Sequence, residues 1–88
     1  MGVNTSVVAF EWKHSADNVQ ISGSFCKWKQ LYQMEKIDQC NHVILLNILD
    51  GSYEYKFIVD GQRWIEDPNN GLKAPNNYGG LNSVLVVE

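Results

Sequence analysis

Short runs of β-branched and aromatic residues alternate with polar ones along this chain, and clusters of Gly, Asn and Asp interrupt them. That period of two is the signature of strands, and no stretch carries helical periodicity. Residues 7–12 predict a first strand with Val8, Phe10 and Trp12 on one face. Residues 19–22 predict a second after the polar turn 14–18, so that the two form a hairpin or face each other across a core. Residues 25–38 are mixed and read as a long crossing loop with a short strand near Met34. Residues 43–49 are almost wholly apolar, Asp50-Gly51 is a turn signal, and residues 53–59 place Tyr53, Tyr55, Phe57 and Val59 on one side. This combination predicts a hairpin. Asp60-Gly61 predicts a second tight turn, into a short strand around Trp64 and Ile65 that stops at Asp67-Pro68. Together these elements predict an antiparallel meander. Residues 68–80, rich in Asn, Gly and Pro, predict a surface loop, and residues 83–87 a closing strand. The sum is an all-β antiparallel sandwich of about seven short strands.

The length of 88 residues holds one domain with one modest core, read as a tail over residues 1–6 and a domain over 7–88. Hydrophobic residues make up 44% and charged residues 19%, a balance that predicts folding rather than disorder. The formal charge of -3, with no basic tract, argues against nucleic acid as a partner. No run approaches about eighteen apolar residues and the start lacks a secretory pattern, so neither a membrane span nor export is expected, and the cytoplasm is the default. Cys26 and Cys40 read as free thiols of a reducing compartment. The start, Met1-Gly2 with Ser6, fits both the pattern for N-myristoylation at Gly2 and the expressed remnant of an excised domain.

Reaction chemistry is sparse. His14 and His42 are isolated, with no serine or cysteine beside them in a nucleophile signature. Cys26, Cys40 and His42 lack the spacing of a zinc site, and no glycine-rich phosphate loop follows a strand. Asp60, Glu66 and Asp67 could suggest paired carboxylates, but Asp60 opens a turn and Asp67 precedes proline, so turn chemistry accounts for them. No catalytic residue, metal or cofactor is expected.

The aromatic residues say more. Three Trp, four Tyr and three Phe exceed what a core this small can hold. Strand parity sends Phe10, Tyr53, Tyr55 and Phe57 inward, Phe25 plugs one end, and Trp12 is assigned to the core. Trp28 stands between Lys27 and Lys29 in a loop, and Trp64 between Arg63 and Ile65 on a very short strand, so both are candidates for the surface. An exposed indole is a flat, electron-rich platform that suits the C–H face of a glucose ring. Peripheral core packing fits either residue equally well on this pattern alone.

Five ordered blocks carry a resemblance that covers nearly the whole chain: Phe10-Glu11-Trp12; residues 19–25 running to Trp28; Gly51 and Tyr53 through Phe57 with Val59-Asp60-Gly61; Trp64 through Pro68; and residues 79–82. In these the sequence resembles the family 48 carbohydrate-binding modules, and within them the glycogen-binding domains of AMP-activated protein kinase β subunits. The resemblance implies an early-set immunoglobulin-like sandwich without catalytic activity that binds α-1,4-linked glucan such as glycogen or starch. By motif position it implies Trp28, Trp64, Lys56 and Asn82 as the contacts. Parity agrees for Lys56, which lies opposite to Tyr55 and Phe57 and offers three donors. Relative to the kinase pattern, Arg63 is an extra residue, which the Asp60-Gly61 turn is expected to absorb so that Trp64 keeps its orientation. Tyr78 replaces a leucine that projects against the sugar, and is expected to add a stacking surface. Gly80 replaces a hydroxyl-bearing residue. The implied role is to bring a kinase, phosphatase or glucan-processing enzyme to the polysaccharide. The alternative is a protein-interaction module of the same fold, anchored by Trp28, Trp64 and Tyr78.

Overall fold

The computed structural model describes residues 4–88; the myristoylation reading at Gly2 falls outside them. Nine strands follow one another: β1 (Thr5–Trp12), β2 (Val19–Gly23), β3 (Tyr32–Gln33), β4 (Glu35–Asp38), β5 (Asn41–Leu49), β6 (Gly51–Val59), β7 (Arg63–Ile65), β8 (Lys73–Pro75) and β9 (Leu81–Val87). One turn of 3-10 helix, Ser24–Cys26, follows β2. A three-stranded sheet has the order β1-β5-β4, and a six-stranded sheet the order β3-β2-β6-β9-β8, with β7 pairing β6. Every pairing is antiparallel.

The two sheets meet through the residues that parity turns inward. Phe10 and Trp12 of β1 and Ile48 of β5 face Ile21 of β2, Tyr55, Phe57 and Val59 of β6 and Val87 of β9 in one buried cluster. Each large side chain removed from water contributes about 1.5–3 kcal/mol. The rings interlock edge to face, Phe10 on Tyr55 at 5.2 Å and Trp12 on Phe57 at 5.4 Å between centroids, the arrangement that ring quadrupoles favour. Phe25 closes one end against Phe10, Tyr32 and Tyr53.

Three expectations need correction. The Asp50-Gly51 turn does not close a hairpin: β5 lies in the three-stranded sheet and β6 in the six-stranded one. β5 spends its edges on β1 and β4, while β6 spends one on β2 and the other on β9 and β7. Neither has an edge left for the other, and the turn becomes a corner between sheets. The meander fails for the same reason, and β1 and β2 face each other across the core in opposite sheets. Finally, the 68–80 segment is more than a loop, because β8 pairs the edge of β9 from Lys73↔Ser83 to Pro75↔Leu81. A short edge strand needs only backbone pairing on one side, so it tolerates proline and shows no apolar pattern. With β3 and β4 flanking the buried Met34, these short elements raise the count from about seven strands to nine.

Candidate functional site

On β6 the inward set of Tyr55, Phe57 and Val59 forces Glu54, Lys56 and Ile58 onto the outer face of the six-stranded sheet. Pairing then spreads that face sideways. Trp64 of β7 stands opposite Ile58, and Val84 of β9 opposite Glu54, which puts Asn82 on the same side. The hairpin between β6 and β7 turns on Asp60 at φ 54° and Gly61 at φ 69°, the left-handed backbone of tight hairpin turns. Gln62 closes it by donating to the Val59 carbonyl at 3.2 Å. Arg63 itself lies in β7, opposite Val59, and Trp64 follows it opposite Ile58 and half open to solvent.

Trp28 reaches this face from the loop after β2. Lys27 and Trp28 both have positive φ, 56° and 59°, which costs a non-glycine residue energy and persists only where neighbours enforce it. Here the Trp28 N–H donates to the Gly23 carbonyl at 2.9 Å, and the Lys27 and Lys29 N–H groups donate to Ser24 and Cys26 at 3.0 and 3.1 Å. Gly23 itself is required by space, since a Cβ there would lie 2.6 Å from the Glu54 carbonyl oxygen and 2.5 Å from the Phe25 ring.

All five residues singled out from the sequence, Trp28, Lys56, Trp64, Tyr78 and Asn82, line one groove of ≈ 700 Å³ on this face. The indoles are open to solvent at 38% and 49% for Trp28 and Trp64, and Tyr78 stands almost free at 95%. Five residues not foreseen line it as well: Ser24, Glu54, Pro75, Asn76 and Asn77. The Ser24 hydroxyl accepts from the Glu54 backbone N–H at 2.9 Å. The Glu54 carboxylate accepts from Asn82 Nδ2 at 3.0 Å, and Asn76 Nδ2 donates to Asn82 Oδ1 at 3.3 Å. Asn76 Oδ1 in turn accepts from the N–H groups of Tyr78 and Gly80 at 2.8 and 3.1 Å, shaping the loop that carries Tyr78. Glu54 was legible from its parity with Lys56; nothing marked Asn76 apart from its asparagine-rich surroundings. Among the described residues the one ion pair is Lys13 with Glu11 at 3.9 Å, so the Lys56 ammonium is available to a ligand. Chemically the groove offers flat apolar walls and a floor of donors and acceptors, the equipment for a neutral polyhydroxylated chain.

Asp60 and Asp67 are structural ties. Asp60 Oδ1 accepts from the N–H groups of Asn18 and Asp17, both at 2.9 Å. Those bonds hold its carboxyl below the usual carboxylate range. Asp67 accepts from the Tyr55 hydroxyl at 2.7 Å and from the Asn69 N–H at 2.9 Å. Burial, with the Asp67 carboxylate beside it, pushes the Tyr55 phenol above its ordinary value. Among the described residues no group of three or more His, Cys, Asp or Glu is placed to hold a metal ion. No helix there is long and apolar enough to cross a membrane. Cys26 and Cys40 are free.

A small antiparallel sandwich with an aromatic-walled, polar-floored groove on one outer face has the form of a carbohydrate-binding module. The chain belongs to the family described as the glycogen recognition site of AMP-activated protein kinase, which it matches over residues 6–88. It is similar to 5'-AMP-activated protein kinase subunit beta-1 of Rattus norvegicus, 34% identical over 79 residues that make up 90% of this chain and 28% of that protein. It is also similar to Protein PTST homolog 2, chloroplastic, of Arabidopsis thaliana, at 36% over 76 residues, 86% of this chain and 14% of that protein. Protein FLOURY ENDOSPERM 6, chloroplastic, of Oryza sativa subsp. japonica is 37% identical over 76 residues, again 86% of this chain and 14% of that protein. The chain spans at most 28% of the length of these relatives.

Proposed function

We propose that this domain binds α-1,4-linked glucan in the groove, without catalytic chemistry of its own. Trp28 and Trp64 stack on successive glucose rings of a bent chain, Tyr78 adds a third surface, and Lys56 and Asn82 bond the ring hydroxyls. In this reading it holds a kinase, phosphatase or glucan-processing enzyme, in the same chain or a partner chain, on glycogen or starch in the cytoplasm. The observation that carries the reading is convergence: side chains from a loop after β2, from β6, β7, β9 and the loop between β8 and β9 line a single groove. The names of the kinase subunit relatives and their family's description support it.

Stacking on an aromatic contributes about 1–3 kcal/mol per ring by analogy with nucleobases, and association itself costs several kcal/mol. A single groove therefore gives a Kd of about micromolar to millimolar, and retention on a polymer comes from many equivalent sites. Isothermal titration of the 88-residue chain with maltoheptaose tests this, with W28A and W64A as controls checked for folding by circular dichroism. Binding in that range, lost in both variants, supports it. Silence in the titration and in tryptophan fluorescence, with a protein partner captured through Trp28, Trp64 and Tyr78, would favour the interaction-module reading. Release of reducing ends from glycogen by the chain would overturn the non-catalytic assignment.

A further inference from the structure

The polar floor of the groove has a built-in direction. A side-chain amide carries a donor and an acceptor of nearly equal size, so an asparagine left alone presents either one to a ligand. Asn82 is not left alone. It is nearly buried, at 9% exposed, and a relay of hydrogen bonds holds it from both sides. The relay starts at the backbone N–H groups of Tyr78 and Gly80, which can only donate, and which bond Asn76 Oδ1 at 2.8 and 3.1 Å. That leaves Asn76 Nδ2 to donate to Asn82 Oδ1 at 3.3 Å, and Asn82 Nδ2 to donate to Glu54 Oε1 at 3.0 Å. The last group, a carboxylate, can only accept. Turning the Asn82 amide over would set its oxygen against a carboxylate and its nitrogen against another amide nitrogen. Two repulsive contacts would replace two bonds.

On the same face stands Lys56, whose ammonium donates and never accepts. A sugar hydroxyl that accepts from Lys56 is free to pass its own proton onward, and the acceptor held in a fixed place for it is the spare lone pair of Asn82 Oδ1. An α-1,4-glucan is itself directional, since the order of hydroxyls along each ring reverses when the chain is turned end for end. We propose that Glu54 and Asn76 act as positioning residues that lock the Asn82 amide and so admit the glucan in one polarity, its reducing end at one indole and its non-reducing end at the other. This rests on the glucan-binding reading and adds to it the orientation of the bound chain. In consequence the domain presents one defined end of the glucan to whatever enzyme it accompanies.

The test uses maltoheptaose carrying a nitroxide at its reducing end and follows the indole Nε1–H resonances of Trp28 and Trp64 in the 88-residue chain. The wild-type chain is expected to show strong broadening of one resonance and weak broadening of the other. In E54A and in N76A, with melting curves confirming the fold, both resonances broaden comparably and affinity for unlabelled maltoheptaose falls roughly three- to tenfold, the range set by about one net hydrogen bond. E54Q, whose side-chain carbonyl still accepts from Asn82, retains the preference, which a merely structural loss at this position would not. Equal broadening in the wild type, or a preference that survives both alanine substitutions, overturns the proposal while leaving glucan binding intact. If neither indole responds to the sugar and the unlabelled titration is silent, glucan binding fails and the direction fails with it.

Discussion

The outer faces of the two sheets both expose large hydrophobic side chains, yet they differ in what surrounds those side chains. On the three-stranded sheet Val7, Ile37, Leu45 and Leu49 are exposed, and the polar residues that share their face by register, Thr5, Glu11, Asn47 and Glu35, lie outside the groove. On the six-stranded sheet Leu81 and Val86 are exposed too, but the exposed residues that line the groove, Trp28, Trp64 and Tyr78, are aromatic, and its floor holds Glu54, Lys56, Asn76 and Asn82. Apolar exposure by itself is common on folded proteins. What marks the second face is a groove, flat rings beside the branched aliphatics, and polar groups whose orientation is set by other residues.

The sharpest way to break this contrast is the double variant W28A/W64A. It is expected to weaken maltoheptaose binding by at least about thirtyfold by titration, since two stacking surfaces of about 1–3 kcal/mol each are lost. The matching change on the other face, V7T/L45T, should leave the affinity within about twofold of the wild type, as surface substitutions away from a site rarely couple to it; a comparable loss there would erase the distinction. Lys56→Ala removes a charged donor and is expected to cost about tenfold or more in Kd. Tyr78→Ala, which removes a ring at the rim while leaving the Asn76 bonds to the backbone in place, should cost only about threefold. The smallest effect concerns pH. Because the Asp60 carboxyl is held low by two backbone donors, its stabilisation is present above the ordinary carboxylate pKa and disappears as pH falls through the lowered value. Thermal melts across that acid range should show this loss in the wild type and a flatter profile in D60N, with maltoheptaose affinity at neutral pH unchanged.

Much of the arrangement is legible in the sequence. The alternation from Tyr53 to Val59 assigned the inner face of β6 and so placed Lys56 outside. Asp60-Gly61 announced the turn that delivers Trp64. The pairing of strands was not legible, because a tight turn such as Asp50-Gly51 serves a hairpin and an inter-sheet corner equally well. Which one forms depends on edges already taken by β1, β4, β2 and β9. β8 left no hydrophobic trace because it is three residues long and lies at a sheet edge. Within the groove, parity could have nominated Glu54, but the part played by Asn76 depends on a loop that folds back so that its N–H also meets the Gly80 carbonyl, at 3.0 Å. No local pattern encodes that return.

The corner at Asp50 has a kinetic meaning. The chain passes from one sheet to the other between β1 and β2, between β3 and β4, and again between β5 and β6, and β1 finds its partner only when Thr5 meets Leu49. The local hairpins β4–β5, β6–β7 and β8–β9 leave both sheets incomplete until the distant pairings of β1 with β5 and β2 with β6 form, so refolding should be a single slow exponential in milliseconds to seconds, as in proteins dominated by distant pairings. Stopped-flow tryptophan fluorescence would report it, with signal from the interior Trp12 and from the two surface indoles recovering at one common rate.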